Sequence, residues 1–106
     1  MNAIEIEQKD TGKSWKASPG DTIQVRLPEN PTTGYQWEAS PGQTPALRLV
    51  SSEYMPSAPA SLGAGGTRTF TFQALQPGSA NIQLVLRRPW EASGAKDQFT
   101  ASFLVE

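Results

Sequence analysis

Few residues in this chain have the means for covalent chemistry, and their spacing does not arrange them for it. Thr11-Gly12-Lys13-Ser14 has the residue types that close a phosphate-binding loop, where the lysine would meet phosphate oxygens. The earlier glycine of such a loop would stand at position 7, which is Glu7, and no helical period follows. Gly63-Ala64-Gly65-Gly66 fails as a dinucleotide fingerprint: the third spaced glycine is missing, and a strand pattern comes next where a helix is needed. The ten Asp and Glu are dispersed over strands and turns. Glu5 and Glu7 share a face, at alternating positions of an edge-like strand, and read as solvated surface. With no His and no Cys, Ser-His and Cys-His catalysis, thiol chemistry and nearly all zinc sites are excluded. The expectation is a protein without catalytic residues, metal or cofactor, and so not an enzyme.

What remains is stiff, shaped backbone with one large aromatic, which is the equipment of a binding edge. In Asn30-Pro31-Thr32-Thr33-Gly34-Tyr35, Asn30 is pushed to an extended conformation by the proline after it and Pro31 has its φ fixed. Thr32 and Thr33 are stiff at χ1, and Gly34 can take the positive φ that turns the chain back. A segment that has already lost this much freedom binds more tightly than a floppy one of equal area; it is also what a well-formed turn between strands looks like. Gly65 and Gly66 remove side chains where another backbone could approach and pair in extended form, or they serve as a flexible connector. Trp90 follows Arg88-Pro89 where the apolar alternation has stopped. An exposed tryptophan held by a proline is a hot-spot anchor; the alternative is an indole folded back onto the core. Trp15 and Trp37 lie in strand alternation and read as core or edge packing.

The elements that must hold these segments have a period of 2. Ile4 and Ile6 alternate with polar neighbours, and Lys9 to Lys13 turns around Asp10-Thr11-Gly12. Trp15 sits in a short strand closed by Ser18-Pro19-Gly20-Asp21. Ile23, Val25 and Leu27 alternate and stop at Pro28; Tyr35, Trp37 and Ala39 follow. Leu47, Leu49 and Tyr54 mark a further strand that gives out at Met55-Pro56, and the stretch from Ser57 to Gly66 is too long for a tight hairpin. Phe70, Phe72 and Ala74, then Ile82, Leu84 and Leu86, then Phe99, Ala101, Phe103 and Val105 complete the pattern. The spacing predicts an all-β, immunoglobulin-like antiparallel β-sandwich of seven to eight strands, held by apolar packing without a disulfide.

At 106 residues the chain has room for one domain, residues 1–106, and its 37% apolar and 18% charged composition is that of a globular core. Nine Gly and nine Pro are spread as punctuation rather than gathered in a biased tract. A net charge of −1, with no basic run beyond Arg87-Arg88, argues against a nucleic-acid surface. No apolar run approaches the roughly 20 residues of a membrane helix. Met1-Asn2-Ala3-Ile4-Glu5 has no basic stretch followed by an apolar core, so no signal is expected in the sequence as given. The compartment stays open: periplasmic or secreted if a leader has been removed, cytoplasmic otherwise.

Taken together, Asn30-Pro31-Thr32-Thr33-Gly34-Tyr35, Gly63-Ala64-Gly65-Gly66 and Arg88-Pro89-Trp90, in this order and within this strand pattern, resemble the chagasin family of cysteine-peptidase inhibitors. The resemblance spans the whole chain. It implies a monomeric inhibitor binding a papain-like cysteine peptidase one to one, reversibly and tightly, with three neighbouring loops at one end of the sandwich. By that resemblance, Thr32 and Thr33 enter the catalytic centre, and the Gly65-Gly66 region runs along the substrate side as an added extended segment. Trp90, supported by Pro89 and Arg88, packs on an aromatic wall. The wedge would block the nucleophile without offering a strained, correctly oriented peptide bond. A functional role would also explain the long Ser57–Gly66 stretch, which otherwise counts against a compact domain. The competing reading is an immunoglobulin-like adhesion or carbohydrate-binding module with Trp90 and Tyr35 as a stacking platform.

Overall fold

The computed structural model describes residues 3–30, 33–39, 45–56, 65–88, 90 and 96–106. Alternating apolar residues form eight strands: β1 Ala3–Glu7, β2 Ser14–Ala17, β3 Thr22–Glu29, β4 Gln36–Ala39, β5 Leu47–Pro56, β6 Gly66–Ala74, β7 Gly78–Arg87 and β8 Asp97–Val105. One sheet has the order β1-β3-β6-β5 and the other β2-β8-β7-β4. Each strand turns its apolar set inward, as period-2 side-chain direction requires. Ile23, Val25 and Leu27 of β3 are sealed, as are Leu84 of β7 and Phe99 of β8. Trp37 is buried in the same core, and Trp15 stacks on Phe103 at 5.4 Å between ring centroids. The core and edge roles expected for these two tryptophans are what the fold gives them.

The two sheets are not antiparallel throughout. β1 pairs with β3, and β2 with β8, in parallel. Both are edge strands, and the stretch from Glu7 to Thr22 is long enough for the crossover that a parallel pair demands. Glu5 and Glu7 are exposed on the β1 edge, as their alternation suggested. The turn after β1 is fixed by Asp10, whose carboxylate accepts the Glu7 N–H at 3.0 Å and meets Lys13 Nζ at 3.1 Å. These contacts, the backbone bond first, hold the Asp10 carboxyl below the ordinary aspartate value.

Two strands depart from simple alternation. β3 does not stop at Pro28 but runs one residue further, to Glu29. The proline is tolerated there because β1 ends opposite Arg26, so β3 has a neighbour on one side only at Pro28. In β5 the register shifts between Leu49 and Ser51, a bulge that leaves Val50 half exposed. The extra residue is why Leu49 and Tyr54, of opposite parity, both pair with inward members of β6 (Phe72 and Arg68).

Candidate functional site

Antiparallel pairing places the β3–β4, β5–β6 and β7–β8 connections at one end of the sandwich. Glu29 pairs with Gly66, Gly66 with Pro56, and Gln36 with Arg87. The described residues of all three predicted segments therefore meet: Asn30 and Thr33–Tyr35 from the first, Gly65–Gly66 from the second, Arg88 and Trp90 from the third. Pro31, Thr32, Gly63, Ala64 and Pro89 lie outside the described residues.

The first segment is built by its own backbone and by Thr33. Thr33 N–H and Oγ1 both donate to the Asn30 carbonyl, at 3.1 and 2.7 Å, and Oγ1 accepts the Tyr35 N–H at 3.3 Å. Gly34 takes φ +82°, the left-handed conformation that a side chain resists. At the base of the segment, Trp37 closes it twice. Its backbone N–H donates to the Glu29 carboxylate at 2.7 Å, and its indole Nε1–H donates to the Pro28 carbonyl at 2.8 Å.

The third segment braces the first. Arg88 Nε donates to the Thr33 carbonyl at 3.1 Å, and its guanidinium lies over the Tyr35 ring, 4.4 Å from the centroid. Lys96, whose N–H closes the connection onto the Leu86 carbonyl at 2.7 Å, brings a second cation to the same ring at 4.7 Å. Trp90 is 70% exposed, so its indole is not folded into the core. Its outer edge rests on Gly34, where a β-carbon would stand 2.5 Å from Cη2 and 2.9 Å from Cζ2.

The second segment leaves the sheet between its neighbours. A β-carbon on Gly65 would meet the Glu29 carbonyl at 3.1 Å and Asn30 Cβ at 3.5 Å. One on Gly66 would collide with the Met55 carbonyl and approach Tyr54 Oη at 2.6 Å. Another backbone does approach these glycines closely, but it belongs to this chain. Gly66 is the first residue of β6, paired on both sides, rather than part of an open connector. A hollow of about 360 Å³ between the segments is lined by Asn30, Thr33, Tyr35, Gly65 and Lys96, among others. A larger groove, about 530 Å³, runs along β2, β8 and β7 around Trp15 and shares no lining residue with it.

The same end holds an ion pair that belongs to none of the three motifs, Glu29–Arg68. Glu29 and Asp21 are the buried acidic residues among those described. Arg68 Nη2 and Nε reach Glu29 Oε2 at 2.9 and 3.2 Å, and Arg68 Nη1 donates to Ser52 Oγ at 3.3 Å. Its signal in the sequence is parity. Glu29 continues the inward series Ile23, Val25, Leu27, and Arg68 begins the inward series Phe70, Phe72, Ala74.

Comparison with known proteins agrees with this architecture. Residues 16–103 match the family described as Chagasin family peptidase inhibitor I42. The chain is 30% identical over 101 residues to chagasin of Trypanosoma cruzi, covering 91% of this chain and 92% of chagasin. Its structure superposes on the cysteine protease inhibitor EhICP2 from Entamoeba histolytica with a TM-score of 0.88 at 24% identity, covering 100% of this chain and 97% of that one. PbICP-C, solved in complex with falcipain-2, superposes with a TM-score of 0.72 at 14% identity over 100% of both chains. At these identities the two structures speak for the shared sandwich.

Proposed function

Because this chain belongs to the chagasin family of peptidase inhibitors, we propose that it inhibits papain-like cysteine peptidases by inserting this end of the sandwich into their active-site cleft. The observation that carries the reading is the mutual bracing of the three segments: Arg88 on the Thr33 carbonyl, Trp90 on Gly34, Gly65 against Glu29 and Asn30. A surface fixed before binding has little ordering entropy left to lose. Asn30, Pro31, Thr32, Thr33, Gly34 and Tyr35 form the prong directed at the peptidase thiol. Gly63, Ala64, Gly65 and Gly66 run beside the substrate channel, and Arg88, Pro89 and Trp90 provide the aromatic anchor. Three segments of this size could bury a standard interface, on the order of 1,600 Å² in total.

The action is steric and reversible. Side chains here supply shape and hydrogen bonding. Titration against papain and a cathepsin L-type enzyme tests this, with a serine peptidase as control. Stoichiometric loss of activity in the first two alone is the expected result. Full activity of several papain-like enzymes at micromolar concentrations of the protein would end the proposal. Thr32→Ala should weaken inhibition more than stability; equal inhibition by that variant would remove the first segment from the mechanism.

A further inference from the structure

A carboxylate at position 29 is a poor choice for stability alone. The side chain is 1% exposed, and a buried ion pair recovers little beyond its desolvation cost, so apolar residues of similar volume would hold the two sheets at least as well. What apolar residues cannot supply is direction. Glu29 Oε1 accepts the N–H of Trp37, on an edge strand with one sheet neighbour, and so fixes where the first segment returns to the sandwich. The Arg68 fork holds the opposite oxygen, and its Nε also reaches Oε1 at 3.4 Å. Arg68 stands two residues after Gly66 and is itself held by Ser52 and by the Tyr54 ring, 5.7 Å away. Entry to one segment and exit from the other thus share a single carboxylate.

We propose that Glu29 and Arg68 are positioning residues for inhibition: the pair sets the spacing and orientation of the first two segments without itself touching the peptidase. The inference rests on the inhibitor reading above and names how this chain keeps its prongs in register. Removing the fork leaves the buried carboxylate without its counter-charge, so it takes up a proton or turns toward water, and either change weakens its hold on the Trp37 N–H. The Asn30–Tyr35 prong then drifts relative to Gly65, and a fit made at ångström precision is lost.

The test separates misplacement from unfolding. Wild type, Arg68→Met, Arg68→Lys and Glu29→Gln are compared in papain inhibition, with active-site titration giving the concentration of competent inhibitor in each. Amide hydrogen exchange of the free proteins is measured beside it. A purely structural role lowers the competent fraction but leaves the inhibition constant per competent molecule unchanged. The positioning role predicts that Arg68→Met raises that constant at least tenfold, mainly through faster dissociation, and speeds exchange of the Trp37 amide. Glu29→Gln still accepts from Trp37 but loses the charge partner, and should move in the same direction by less. Arg68→Lys should recover part of the loss. Should Arg68→Met fail to fold, the Glu29→Gln and Arg68→Lys constants decide. Constants within twofold of wild type in the folded variants, or unaltered Trp37 exchange, overturn the proposal. If wild type leaves papain-like enzymes fully active, the inhibitor reading fails. The exchange data then decide by themselves whether the pair couples the two segments.

Discussion

The indole of Trp90 rests on Gly34, close enough that a single added methyl would have to displace it. A residue from the third segment is thereby seated on the sharpest turn of the first. Gly34→Ala carries two penalties, the left-handed φ of +82° and the collision with Cη2 and Cζ2. A loss of about 1–2 kcal/mol is expected from the backbone alone. Chemical denaturation should show it, the Trp90 indole N–H resonance should shift, and inhibition should weaken more than stability does. An unmoved indole resonance would contradict the contact.

Trp90→Ala separates binding from folding. With 70% of the residue exposed, little core packing is lost, and the melting temperature should change by only a few degrees. As an anchor at an interface the same residue should be worth about 2 kcal/mol or more of binding, roughly 30-fold in the inhibition constant. A large fall in melting temperature would instead assign Trp90 a structural role.

Tyr35 carries two cations on one ring, Arg88 at 4.4 Å and Lys96 at 4.7 Å. Tyr35→Phe keeps the π face and should leave urea stability unchanged. Tyr35→Leu should lose about 1 kcal/mol, in the range of exposed cation–π contacts. It should also free Arg88 to leave the Thr33 carbonyl, measurable as line broadening of the Thr33 and Gly34 amides. Equal stability of the Phe and Leu variants would show that packing, not charge, holds the ring.

The core predicts a larger effect. Phe99 has no exposed surface, and Phe99→Ala should cost about 3–5 kcal/mol. Against a total of about 5–15 kcal/mol for a domain of this kind, the variant should melt far earlier or fail to fold. Differential scanning calorimetry reads this directly.

Asp10 gives the pH prediction. The Glu7 N–H and then Lys13 favour its charged form and depress its value in the folded chain. Stability from this group is therefore complete above the unfolded value and fades as pH falls through the lower folded one. The difference in stability between wild type and Asp10→Asn should shrink as the solution is acidified from neutrality. A difference that grows on acidification would mean the sign is wrong.

Much of the sandwich was legible because burial imposes period 2. Ile23, Val25 and Leu27 in β3, and Phe99, Ala101, Phe103 and Val105 in β8, announce both strand and inward face. The parallel pairing of β1 with β3 and of β2 with β8 was not legible, since alternation is the same whichever way a neighbour runs. Pro28 read as an end because a missing N–H normally breaks a ladder; the short reach of β1 makes it harmless. At the site, the glycines and Trp90 could be picked out by type, but the close approach of Met55 and Tyr54 to Gly66 could not, since it depends on the pairing of β5 with β6. The Glu29–Arg68 pair stayed hidden because polar residues in alternation are usually assigned to the outer face. Lys96 gave no signal at all, since its place over Tyr35 follows from the Leu86 hydrogen bond that closes a connection of roughly ten residues.

The parallel seam between β2 and β8 has a consequence for biosynthesis. Ser14–Ala17 leaves the ribosome long before Ser102–Val105, the stretch it must zip against, has been translated. Until then the Trp15 indole has no Phe103 to lie on, and the second sheet lacks the strand that joins β2 to β7. The second sheet can therefore be completed only after elongation has passed β8. A nascent chain stalled before that point would leave β2 and β7 without the strand that lies between them.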